Sequence, residues 1–187
     1  MKTRILTLVA LFFAASATTF AQSKQIDTKE SNVNWTGYKV TGQHEGTINF
    51  KSGTLEFEDG KLVGGTFVID MASINTTDLS GKSKQSLDGH LKSDDFFGVA
   101  TYPTATLIFK KVVETDDNVY RVAADLKIKE STSRVAFDIE LEDDSAQTTF
   151  KVDRTKFGIK YGSASFFDGL KDKAINDEFD LAVSLKY

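Results

Sequence analysis

Apolar and polar residues alternate along most of this chain with the period of two that half-buried strands require. Val135, Phe137, Ile139 and Leu141 oppose Arg134, Ala136, Asp138 and Glu140, and near the C-terminus Phe179, Leu181, Val183 and Leu185 oppose Asp180, Ala182, Ser184 and Lys186. Val33, Trp35 and Gly37 likewise share a face opposite Asn34, Thr36 and Tyr38. Followed along the sequence, the pattern predicts eight strands, at about 31–40, 44–58, 62–71, 104–114, 118–129, 132–142, 146–154 and 176–187. Glu58-Asp59-Gly60-Lys61, Thr115-Asp116-Asp117-Asn118 and Glu142-Asp143-Asp144-Ser145 supply tight-turn residues between consecutive strands. Strands that are apolar on one face need a shared inside, and a meander loses its edges most fully by closing. Alternation alone leaves a two-sheet sandwich equally open.

Two segments interrupt the pattern. Residues 73–102 carry Leu79, Leu87 and Leu91 among polar residues and predict one or two short helices. They include Asp88-Gly89-His90-Leu91-Lys92-Ser93-Asp94-Asp95-Phe96-Phe97 and lead into Thr101-Tyr102-Pro103, which holds the only proline. Residues 156–175 are the other interruption. Segments of this length in a compact domain are usually lids or packed caps, and both fit the ends of a barrel.

Composition narrows the reading further. Lys2 and Arg4, an apolar run from Ile5 to Phe13 and small residues up to Ala21 form a secretory signal peptide pattern over residues 1–21. The apolar run is too short for a membrane span, and no later segment approaches the roughly 20 apolar residues that a span needs. Cleavage after Ala21 takes 21 of the 187 residues and leaves 166, enough for one domain over 22–187. It also lowers the basic count from 23 to 21 against 27 acids, so the formal charge moves from −4 to −6. An acidic chain is a poor partner for nucleic acid. With no cysteine, neither disulfides nor a lipid anchor on cysteine are available.

Several segments together resemble the YceI-like family: Trp35-Thr36-Gly37, His44-Glu45-Gly46, Ile74-Asn75-Thr76, the His90 segment, and Arg154 with Phe157-Gly158. The resemblance covers essentially all of the expected mature chain. It implies an all-β fold, a single antiparallel eight-stranded lipocalin-like barrel with short helical or loop caps. It also implies a secreted protein, periplasmic or alternatively extracellular, that holds a polyisoprenoid or related long-chain lipid in the barrel as carrier, buffer or store.

On that reading the interior wall consists of Trp35, Phe57, Phe67, Ile69, Leu107, Phe109, Leu126, Phe137, Ile139, Phe150, Phe179, Leu181 and Val183. From periodicity alone the same residues equally describe a solid core, and with it a secreted interaction module that binds no lipid. At the mouth, His90, Lys92 and Arg154 are candidates for a lipid head group. The plainer roles are a loop histidine that bonds backbone groups and an arginine paired with Asp153 or Asp172.

Catalytic and metal chemistry find little support. Two histidines and no cysteine make a poor ligand set, so no metal or cofactor is expected beyond a bound isoprenoid lipid or quinone. A small-molecule enzyme using His90 and Asp94 is the weakest alternative, and no catalytic residue is assigned. Gly81-Lys82-Ser83 lacks the first glycine and the parallel βα setting of a phosphate loop. Oligomeric state is left open, a homodimer included.

Overall fold

The computed structural model describes residues 21–187. The expected signal peptide therefore lies, except for Ala21, outside the described residues. Strands β1 (Ala21–Gln25), β2 (Asn32–Lys39), β3 (Gly42–Glu58) and β4 (Lys61–Thr76) are followed by helix α1 (Gly81–Lys92). After it come β5 (Thr104–Asp116), β6 (Val119–Ile128), β7 (Ser131–Leu141), β8 (Ser145–Asp153) and β9 (Ile175–Lys186). All pairings are antiparallel, in the order β3-β2-β9-β8-β7-β6-β5-β4, and β4 returns to β3. Eight strands thus close on themselves as a barrel. The open sandwich is excluded.

The ninth strand, β1, was not expected from the sequence. It pairs with the far half of β3, from Ala21 against Glu58 to Gln25 against Thr54. That is the same β3 edge whose near half pairs with β2.

Turn chemistry acts where the sequence placed it. Asp59 and Gly60 both have positive φ, 48° and 80°, and join the paired residues Glu58 and Lys61. A two-residue hairpin loop with this backbone matches the twist of its strands. Register irregularities between Phe50 and Ser52 and between Glu56 and Phe57 shift which residues of β3 face inward. Ile48 and Phe50 are buried before the first of these, and Leu55 and Phe57 after it.

The long interruption begins later than expected, because β4 continues through Ile74-Asn75-Thr76 against Gly46 and Thr47. Helix α1 is then tied to the end of that strand. Lys84 Nζ donates to Asn75 Oδ1 (2.6 Å), Thr76 O (2.6 Å) and Asp88 Oδ2 (2.8 Å), and Asp88 Oδ1 accepts the Thr76 amide (2.8 Å). These bonds hold the Asp88 carboxyl below the ordinary range, although burial opposes them. The helix brings Leu91 over one end of the barrel, with Phe96, Phe97 and Val99 buried just after it.

Candidate functional site

The barrel interior is not solid. A cavity of about 170 Å³ runs inside it. Since a water takes about 30 Å³ in the liquid, the space holds roughly half a dozen waters. Its walls are chiefly hydrocarbon and aromatic rings from the inward phase of β2 to β9.

Twelve of the thirteen wall residues expected from the sequence face this cavity: Trp35 on β2, Phe67 and Ile69 on β4, Leu107 and Phe109 on β5, Leu126 on β6, Phe137 and Ile139 on β7, Phe150 on β8, and Phe179, Leu181 and Val183 on β9. Phe57 does not. It is buried, but its ring lies 5.9 Å from that of Tyr187, with Lys24 Nζ 5.1 Å from its centre, outside the cavity wall. Alternation places a residue inside the barrel but not at a level along its axis. Val33, Ile48, Phe50, Met71 and Ile74 line the space as well, together with Leu91, Phe96 and Phe97 from the α1 segment. Ile48 and Phe50 follow the alternation of β3 and Leu91 the helical spacing from Leu87, whereas Phe96 and Phe97 follow neither period.

The ring contacts give the wall its shape. Phe137 stacks on Phe150 at 4.6 Å and 20°. This pair matters because β7 and β8 share only the rungs Ile139–Thr148, Glu140–Gln147 and Leu141–Ala146. Thr148 Oγ1 donates to Asp138 O at 2.6 Å beside the Ile139–Thr148 rung. Past that point the two rings, not a continued ladder, cover the seam. Trp35 Nε1 donates to Thr47 O at 3.3 Å, so the polar atom of the indole is satisfied while its ring borders the cavity.

Polar groups gather at one end, where Arg154, Asn176 and Glu178 join Gly37, Tyr38 and Ile175 in the wall. Arg154 opens a short 3₁₀ turn, Arg154–Phe157, and is only 2% exposed. The turn starts there because Asp153 accepts the Thr155 amide (2.9 Å) and hydroxyl (2.6 Å), and it ends at Gly158 with φ 76°. The Arg154 guanidinium donates to four backbone oxygens: Asn176 O (3.0 Å), Ile159 O (2.9 Å), Tyr161 O (2.8 Å) and Ile175 O (3.0 Å). Its nearest carboxylate is Asp177 at 3.6 Å. The expected pairing with Asp153 or Asp172 is therefore replaced by carbonyls and Asp177.

Burial pushes the Arg154 pKa down, against the pull of Asp177 and Asp153. Burial also opposes the charge of Asp177, yet the hydroxyls of Ser163 and Ser165 and the positive Arg154 carry its carboxyl below the usual range. The two charges stabilise each other and pin the 158–177 segment across the barrel end.

The other two mouth candidates lie outside the cavity wall. His90 belongs to α1 rather than to a loop. Its ring packs edge-on against Tyr161 (4.4 Å) and Phe96 (5.7 Å), and its Nε2 is buried with no hydrogen-bond partner. The expected bonds to backbone groups come instead from its own carbonyl, which accepts the Ser93 amide (3.1 Å) and hydroxyl (2.8 Å). Lys92 is half-buried at the last position of the helix. Asp94 contributes its carbonyl to Lys129 Nζ at 3.5 Å. The second histidine, His44, bonds Asp78 at 2.8 Å, where it holds the segment after β4 against β3. Among the described residues no three His, Asp or Glu side chains converge as a metal site would require, and no helix is long and apolar enough to cross a membrane.

A family model described as the YceI-like domain matches residues 25–187. No curated protein matches the chain. Among solved structures, BcnA of Burkholderia cenocepacia is similar at 20% identity and TM-score 0.68, covering 86% of this chain and 98% of its own. A polyisoprenoid-binding domain from Saccharophagus degradans, implicated in plant cell wall breakdown, is similar at 14% identity and TM-score 0.58, over 86% of this chain and 95% of that one. The YceI protein of Campylobacter jejuni is similar at 17% identity and TM-score 0.54, over 100% and 98%. At these identities the structures bear on the fold.

Proposed function

The chain belongs to the YceI-like family, and from that membership we propose that it binds the tail of a polyisoprenoid or related long-chain lipid inside its barrel. The observation that carries this reading is the apolar cavity of about 170 Å³ within a closed sheet. The polyisoprenoid-binding domain among the similar structures supports it.

Magnitudes favour a tail over a polar ligand. Each buried methylene contributes about 0.8 kcal/mol, and the cavity as it stands admits roughly half a dozen, a gross gain of about 5 kcal/mol. Association and chain ordering cost at least about as much, so tight binding requires the cavity to widen around the tail. A tail longer than about one isoprene unit must move half-buried wall residues such as Leu107 and Leu181 or extend past the polar end. Arg154 is occupied by four carbonyls, so we assign it to the architecture of that end and leave the head group to the surface around it. The protein is on this account a carrier, buffer or store, not an enzyme. It is exported through its N-terminal segment to the periplasm.

Native mass spectrometry tests this after a medium-length prenol is added to protein freed of lipid. The expected result is one prenol per chain, with uptake lost in Leu107→Trp and Leu181→Trp, which fill the cavity from different walls. Equal uptake by both folded variants would place the lipid elsewhere.

A further inference from the structure

Four of the large apolar side chains that the fold leaves exposed belong to one end of the barrel: Val40 (64%), Tyr161 (49%), Phe166 (47%) and Phe167 (51%). Three belong to the segment after the Arg154 turn. Val40, in the β2–β3 turn, joins them because its amide donates to Ala174 O at 3.3 Å. This is the end of the barrel where Arg154, Ile175 and Asn176 reach the cavity.

The charge here runs against that of the chain. Residues 156–173 carry Lys156, Lys160, Lys171 and Lys173, all exposed, against Asp168 and Asp172, whereas the whole protein has a formal charge of −4. Lys160 Nζ sits 4.6 Å from the centre of the Phe166 ring, so base and ring share one surface. The segment is also held in place from beneath. Arg154 binds the Tyr161 carbonyl, the Ile175 amide donates to Gly162 O (2.8 Å), and the Phe166 and Phe167 amides donate to Ser163 O (3.2 and 3.0 Å). Half-exposed aromatic rings on a fixed base therefore cost little further ordering when they are buried.

Aromatic rings flanked by lysines suit the boundary between acyl chains and anionic head groups. We infer that this end of the barrel, formed by residues 156–174 and the β2–β3 turn, is a docking face for an anionic lipid bilayer. Phe166 and Phe167 enter the head-group layer and the four lysines meet its phosphates. Docking in this pose sets the polar end of the cavity against the membrane, a purpose that rests on the proposed lipid binding. The exposed rings and the local charge do not rest on it.

The test is flotation with vesicles, using protein as recovered from cells with its N-terminus defined by intact mass. Mixed phosphatidylglycerol and phosphatidylcholine vesicles are compared with phosphatidylcholine alone. The vesicles hold no prenyl lipid, so capture reads docking only, while prenol uptake without vesicles reads the cavity only. The expected result is partition into the anionic vesicles, weakened by salt. It should fall about tenfold in the Phe166→Ser/Phe167→Ser variant and about fivefold for each of Lys160→Gln and Lys171→Gln. Both sets should keep the parental unfolding midpoint. Equal capture of parent and variants, or equal capture by neutral vesicles, would overturn the inference. No capture of the parent would also overturn it and leave a protein as the partner for this face.

Discussion

Replacing Arg154 with methionine keeps the length and apolar stem of the side chain and removes its five donors. The four carbonyls it serves do not lose equally. Tyr161 and Asn176 are exposed residues whose oxygens can regain water, whereas Ile159 is fully buried and Ile175 half-buried. Hydrogen bonds from a charged group contribute about 1.5–3 kcal/mol each, so two that cannot be replaced give roughly 3–6 kcal/mol. Asp177 would also lose its nearest cation, and the gain from burying the methionine offsets part of the total. The expected loss is about 3–5 kcal/mol out of a typical 5–15 kcal/mol. In a domain of this size that corresponds to a fall of roughly 10 °C in melting temperature. Urea unfolding at neutral pH measures it directly, and an unchanged slope would show that the same surface is exposed on unfolding. A loss below about 1 kcal/mol, with weakened binding of a headed lipid, would refute this reasoning and return Arg154 to the role of a head-group clamp.

Acid should loosen the α1 and Arg154 segments together, since both cap the same barrel end, with His90 against Tyr161 and Arg154 over the Phe96 ring. Asp88 and Asp177 are held below the ordinary Asp value of 3.8. The unfolded chain therefore takes up protons first, and the stability these carboxylates provide is complete above 3.8 and lost as pH falls through their lowered native values. Urea midpoints should drop as pH falls from about 4 to about 2, and Asp88→Asn should reduce that drop; an identical drop in the variant would contradict the assignment. Gly46→Ala should destabilise the barrel by about 2 kcal/mol or more, since the added Cβ would collide with the Asn75 carbonyl and the Trp35 ring. A thermal midpoint within a degree or two of the parent would show that β4 can yield there.

Much of the barrel was legible because its strands alternate cleanly. The Val135–Leu141 and Phe179–Leu185 runs face inward as their period demands. The failures have physical causes. Strand β1, Ala-Gln-Ser-Lys-Gln, has no apolar phase to betray it and is held by the free edge of β3. Residues 72–76 read as loop because the pattern slips there, while their pairing with Gly46 and Thr47 is long-range. Phe57 was correctly seen as interior but sits at the wrong level for the cavity. Arg154 was recognisable as important, yet its partners are mostly backbone atoms of a segment up to 22 residues on, which no side-chain pattern announces. The docking face escaped the alternation altogether, because Phe166 and Phe167 lie in a loop and their exposure is a tertiary fact.

Trp35 is the single tryptophan of the chain and borders the cavity, so its fluorescence during titration with a prenol reports directly on the interior. The account predicts a shift in emission that saturates at one prenol per chain, and quenching when the prenol is replaced by a prenyl quinone. Emission that stays constant while the protein demonstrably takes up the lipid would contradict it, because the tail would then lie outside the barrel.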